Sequence, residues 1–184
     1  MDTDLFTGHL IRLGSDDPEM MAEAFGRWSL DSEYRRLMTS DPARLQSKEK
    51  IKEWVEKELQ KDRPDIITFT IHTLEDDRLI GHAGLDGILW NQGDAFLSIG
   101  LGERQYWDRG YGTDALRVLL RYAFTELNLH RLSLTVFEYN QRAIRSYEKA
   151  GFVLEGRARQ RLNREGRRWD MIFMGILRSE WQQV

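Results

Sequence analysis

The sequence predicts an α+β domain: a mixed, mostly antiparallel central sheet of about seven strands, with helices on both faces. Three observations carry this. β-branched or alternating apolar segments recur along the chain, and apolar stripes at helical spacing lie between them. Their order reads β-α-α-β-β-β-α-β-α-β-β, a mixed α+β sheet with helices on both faces. The longest helix is entered directly from a strand through a glycine-containing turn. At 184 residues the chain has room for one core and little for a second. No linker, repeat or low-complexity run divides it, so residues 1–184 are expected to form one domain.

The elements follow in order. His9 to Leu13 reads as a short strand. Asp17 then caps a helix with Pro18 at its first position, and Met20, Met21, Ala24, Phe25 and Trp28 recur at helical spacing. Ser47 opens a second, charge-rich helix through Ile51, Trp54, Val55 and Leu59, ending before Pro64. Ile66 to Leu74 is β-branched and reads as a strand. Arg78 to Trp90 is the next strand, and the turn NQGD leads into another from Ala95 to Leu101. Beyond Gly110 the period changes, and Ala115, Leu116, Leu119, Leu120, Ala123, Phe124 and Leu127 trace one stripe of a long helix. Arg131 to Phe137 alternates again. Asn140 opens the last helix, which holds Ala143, Ile144, Tyr147 and Ala150 and stops at Gly151. The tail reads as two strands around a turn at Asn163 to Gly166.

Composition excludes several chemistries. With no cysteine there is no disulfide, thiolate metal site, iron–sulfur cluster or cysteine nucleophile. His72, His82 and His130 lack ligand spacing, so no metal is expected. The formal charge of -3 gives no global attraction to nucleic acid or an anionic membrane. The N-terminus lacks a secretory h-region and no window is apolar enough to span a bilayer, so a cytoplasmic location is expected.

Two segments carry chemistry. In LSIGLGERQYWDRGYGTDA, residues 97–115, a strand ends and a helix begins at a loop holding Arg109, Gly110, Tyr111 and Gly112. Free amides and the positive dipole end of that helix suit phosphate oxygens, and glycines let a ligand approach the backbone. The same glycines also suit a plain tight turn. The loop is neither a Walker loop nor a dinucleotide fingerprint. In TVFEYNQRAIRSYEKAGF, residues 135–152, Asn140 stands where strand passes to helix, and Tyr147 lies two turns on along the same face. Such a phenol can donate a proton to a leaving group, or serve only as a core side chain beside a capping Asn.

Taken together, the G-x-G turn, the helix after it, the next strand and N-x-x-A-I-x-x-Y-x-x-x-G-F resemble the GNAT superfamily of acetyl-CoA-dependent N-acetyltransferases. Within it the chain is most similar to the branch of spermidine and ribosomal-protein N-terminal acetyltransferases. The resemblance implies the GNAT fold, acetyl-CoA as donor and an amine as acceptor. It implies that amides from Arg109 to Thr113, with Gly110, Tyr111 and Gly112 between, hold the coenzyme's pyrophosphate. Trp107 takes the place of the family's usual Gln or Arg. The strand end at Gly100, Leu101 and Gly102 would pair with the pantetheine arm, Asn140 would bond the cofactor, and Tyr147 would protonate the departing thiolate.

The glutamate base of some relatives falls here on Thr135, so the base is not carried over; Glu138, Glu103, Asp86 and His82 are candidates by neighbourhood. The acceptor groove would draw on Trp28, Asp31, Glu33 and Tyr34, which read equally as a capped turn beside core aromatics. Arg157, Arg159, Arg161, Arg164, Arg167 and Arg168 form either an anion patch or the solvated face of an edge hairpin. An exposed edge strand leaves a homodimer open. A non-catalytic acyl-CoA sensor of the same fold is the alternative to an enzyme.

Overall fold

The computed structural model describes residues 4–15, 17–59 and 63–181. Its strands are β1 (Ile11–Gly14), β2 (Ile67–Thr73), β3 (Leu79–Leu89), β4 (Asp94–Leu101), β5 (Arg131–Phe137), β6 (Val153–Arg164) and β7 (Arg167–Leu177). They form one sheet in the order β1-β2-β3-β4-β5-β7-β6. Every neighbouring pair is antiparallel except β4 and β5, which run parallel. The α+β reading therefore holds, with seven strands.

The helices are α1 (Pro18–Ser29), α2 (Ser32–Met38), α3 (Lys48–Leu59), α4 (Tyr111–Arg121) and α5 (Gln141–Lys149). Asp17 caps α1 by accepting from the amides of Glu19 and Met20, both at 2.9 Å. Two helices were expected before β2 and three are present. The additional one is α2, seven residues capped by Asp31, with Glu33 in its first turn and Arg35 and Arg36 in its last. The predicted long helix is α4 followed by a π-turn, Tyr122–Glu126, in which Leu127 donates to the Tyr122 carbonyl.

Register fixes which side chains share a face. Leu97, Leu132, Leu134, Val136, Ile172 and Met174 point to one face, where α4 and α5 close the main core with Leu116, Leu119, Phe124 and Tyr147. On the other face Phe96 stands beside Asp86 and Ser133, and Gly100 beside His82. There α1 and α2 cover only part of the sheet, packing Phe25, Trp28, Tyr34 and Met38 into a smaller cluster.

β1 starts at Ile11 rather than His9, and the amides of His9, Leu10 and Ile11 are held by α4. All three donate to the carboxylate of Asp114, at 3.2, 2.7 and 3.2 Å. This buried side chain in the first turns of α4 ties the chain's first strand to the helix that opens the site.

Candidate functional site

The site begins where the sheet opens. β4 and β5 pair at only three positions, Asp94 with Arg131, Ala95 with Leu132 and Phe96 with Ser133. Beyond Phe96 the two strands part, and β4 from Leu97 to Leu101 keeps a partner on its β3 side alone. In an antiparallel ladder alternate residues turn their amide and carbonyl to opposite sides. Part of this β4 stretch therefore presents bare backbone to the gap.

A cavity of about 460 Å³ fills the opening and threads the sheet from one face to the other. On the α4–α5 side it is lined by Gly110, Gly112, Thr113, Asn140, Ser146 and Tyr147. On the opposite side it is lined by Tyr34, Met38, Asp86, Phe96, Ser98 and Thr135. One opening thus serves two separate approaches.

Local sequence explains the first approach. Gly110 precedes α4 with φ +90°, a left-handed conformation that side chains resist. The amides of Tyr111, Gly112 and Thr113 follow in the first turn, where a helix supplies no acceptors. The Trp107 indole N–H donates to the Leu101 carbonyl at 2.8 Å, pinning the loop to the end of β4. The guanidinium of Arg142 lies over the Trp107 ring, 3.7 Å from its centroid. Burial pulls Arg142 below its ordinary value, and among the described residues no carboxylate pairs with it. Arg145 and Lys149, one and two turns on, also line this end.

Asn140 caps α5 by accepting from the Ala143 amide at 3.2 Å, which leaves its NH₂ group for the cavity. Tyr147 is buried, and burial pushes its phenol up to about 12. It therefore keeps its proton at neutral pH. Its ring packs against Phe152, with centroids 5.9 Å apart.

Of the residues expected to hold a cofactor, Gly100, Leu101, Trp107, Gly110, Gly112, Thr113 and Asn140 line the cavity, as does Tyr147. Gly102, Arg109 and Tyr111 do not. The Gly102 amide is taken by the Ile80 carbonyl at 2.9 Å, and a Cβ on Gly102 would collide with the Trp28 ring. Arg109 points to solvent, and the Tyr111 ring packs edge-on against Tyr106.

Of the four residues expected to meet an acceptor, Tyr34 lines the cavity, buried enough that its hydroxyl is pushed well up. The other three have different partners. Trp28 is buried with its indole N–H on Glu103 at 3.1 Å. Asp31 caps α2 and is paired with Arg104, which holds its carboxyl below the usual range. Glu33 meets the same guanidinium at 2.8 Å, so Asp31 and Glu33 share one arginine.

The base candidates separate in the same way. Glu103 is shared by Arg27 and Arg78, and Glu138 by Arg157 and the Asp170 amide. His82 lies between Phe25 and Trp28, where burial pulls its imidazole down to about 4. Asp86 reaches the cavity. Of the tail arginines, Arg157 and Arg164 bind protein acceptors and Arg167 stacks on Trp169.

Sequence reasoning passed over Arg142, Arg145 and Lys149, although their spacing on α5 shows one cationic face. It also passed over Asp114, whose partners are backbone amides of the first strand.

A family profile described as an acetyltransferase (GNAT) domain matches residues 10–153. The chain belongs to the GNAT acetyltransferase family. This GNAT chain is 30% identical over 162 residues to the SPbeta prophage-derived uncharacterized N-acetyltransferase YokL of Bacillus subtilis strain 168, covering 84% of each. It is 32% identical over 113 residues to the uncharacterized N-acetyltransferase p20 of Bacillus licheniformis, covering 61% of this chain and 63% of that one. Its fold is similar to a crystal structure of spermidine N-acetyltransferase from Vibrio cholerae in complex with CoA and spermine. That likeness has a TM-score of 0.79 at 23% identity and covers 92% of this chain and 96% of that one.

Proposed function

We propose that the chain transfers an acetyl group from acetyl-CoA to a primary amine, both held at once in the β4–β5 opening. The observation that carries this is the cavity through the sheet, which puts the loop before α4 and Tyr147 on one side and open sheet on the other. The donor side fits a coenzyme. The amides of Arg109 to Thr113 offer a diphosphate its hydrogen bonds, Gly110 and Gly112 allow close approach, and Arg142 supplies a cation that forms no ion pair among the described residues.

Beside Gly100, the residues Leu97, Ile99 and Leu101 turn their amides to the open side of β4, the Leu101 carbonyl being held by Trp107, and an extended arm with amide groups pairs there as an added strand would. Asn140 adds a donor at the start of α5. Acetyl-CoA supplies a thioester carbonyl at the gap. A backbone amide of β4 polarises that carbonyl as charge grows on its oxygen. Tyr147, protonated and buried, gives its proton to the departing sulfur, while the attacking nitrogen releases one to solvent, from which the phenol is restored. Holding both partners in one opening removes most of the entropy cost of their meeting. With no cysteine in the chain, transfer passes through no acetyl-cysteine.

Two measurements test this. Coenzyme A or acetyl-CoA at saturation should raise the melting temperature, and thiol release should appear with amines from a panel of polyamines, aminoglycosides and peptides with free N-termini. No stabilisation overturns the reading. Stabilisation without thiol release from any member assigns the fold to acyl-CoA sensing instead.

A further inference from the structure

The acceptor side of the cavity contains one carboxylate, Asp86, that pairs with no cation among the described residues. Asp86 sits on β3 beside Phe96, and its Oδ2 accepts from the Ser98 hydroxyl at 3.0 Å. That is its hydrogen bond among the described residues, and no cation pairs with it there. The contrast with the other carboxylates nearby is sharp. Asp31, Glu33, Glu103 and Glu138 each face an arginine. Asp108, the other carboxylate lining the cavity, stands in the loop at the opposite end, close enough to Arg142 to favour its charge.

The cavity is therefore polarised along its length. Arg142, Arg145 and Lys149 stand at the α5 end, and Asp86 stands at the open-sheet end. An anion is drawn to one end and a cation to the other.

We infer that Asp86, oriented by Ser98, is the group that binds the acceptor's ammonium. This rests on the acetyltransferase reading above and adds the side chain that selects the acceptor and the face from which it comes. Register puts Asp86, Phe96 and Ser98 on the same face of the sheet, the face that α1 and α2 leave partly uncovered. Phe96 is 51% exposed there and gives a cationic chain an apolar wall to lie along. Ser98 donates to the carboxylate, which fixes the direction of its second oxygen without removing its charge. The pair thus selects amines that arrive protonated and discriminates against neutral or acidic acceptors.

Titration calorimetry into the coenzyme A-saturated protein tests the assignment, with spermine and trialanine as probes. Wild type, Asp86→Asn and Ser98→Ala are compared, and the melting temperature of each is read with and without coenzyme A. Asp86→Asn should weaken the bound probe tenfold or more and Ser98→Ala about threefold, with the shift from coenzyme A the same in all three. If neither probe binds wild type, or if Asp86→Asn binds both within twofold of wild type, the assignment is overturned while the donor site stands. If coenzyme A fails to stabilise wild type, the acetyltransferase reading falls and takes this one with it. Ser98→Ala removes one hydroxyl from a half-buried position, so it keeps the test alive should the Asp86 variant not fold.

Discussion

The guanidinium of Arg142 lies 3.7 Å above the centroid of the Trp107 ring, while the indole N–H of Trp107 holds the Leu101 carbonyl at 2.8 Å. One aromatic side chain thus links the end of β4, the loop before α4 and the first turn of α5. Stacking fixes the plane of the cation and leaves its N–H edges free for an anion. Arg142→Ala should raise the KM for acetyl-CoA roughly 10- to 100-fold, since a hydrogen bond to a charged group contributes about 1.5–3 kcal/mol. Trp107→Phe keeps the stack and loses the N–H, so its effect should be the smaller. Equal acetyl-CoA KM values for wild type and Arg142→Ala would remove the cation from the donor site.

Tyr147 is expected to act late, on the leaving sulfur, and not in binding. Tyr147→Phe preserves the ring against Phe152 and deletes only the proton. Turnover should fall about 10²- to 10⁴-fold, the usual contribution of a general acid, with the affinity for coenzyme A within about twofold. Because burial holds the phenol up at about 12, the wild-type rate should show no loss from its ionisation below pH 10. Steady-state kinetics with a calorimetric titration of coenzyme A separates the two effects.

Local signals made most of this architecture legible in the sequence. β5 announces itself because Leu132, Leu134 and Val136 alternate, and its observed limits match the prediction. The loop before α4 is legible for the same reason: Gly110 and the helix after it are contiguous in the chain. α2 escaped because seven residues make too short a stripe, although Asp31 carried the cap signal that would have found it. The division of the cavity into a cationic and an anionic end was legible only in part, as the cationic spacing along α5. It depends on which arginine reaches which carboxylate, as when Arg104 claims Asp31 across 73 positions, and periodicity carries no information about such pairs.

Asp114 provides a stability test. It is 5% exposed and accepts from three successive backbone amides. Asp114→Ala strands those donors, and unsatisfied buried groups cost about 1–3 kcal/mol. For a chain of this size each kcal/mol lowers the melting temperature by roughly 2–4 °C. Asp114→Asn retains an acceptor oxygen and should fall between the two. The loss should appear in thermal melts with and without coenzyme A, because it detaches β1 from α4 rather than altering the loop amides. A melting temperature for Asp114→Ala within a degree of wild type would show that water or a backbone shift satisfies the three amides.

His82 predicts the pH dependence. Packed between Phe25 and Trp28, its ring is held neutral, with burial pulling it from 6.5 down to about 4. The unfolded chain therefore binds this proton more readily than the folded one between those values, and stability rises with pH across the window. Above about 6.5 both states are neutral at this position and the full contribution is present. As pH falls from 6.5 toward 4 it is lost progressively, and below 4 no more is lost from this group. The total is on the order of 3 kcal/mol, taking 1.36 kcal/mol per pH unit of displacement. Urea unfolding at pH 7.5 and pH 4.5 should show a smaller loss for His82→Gln than for wild type, since glutamine fills similar space without a titrating nitrogen. Equal losses in the two proteins would mean that the imidazole takes up its proton in place and that other groups carry the acid sensitivity.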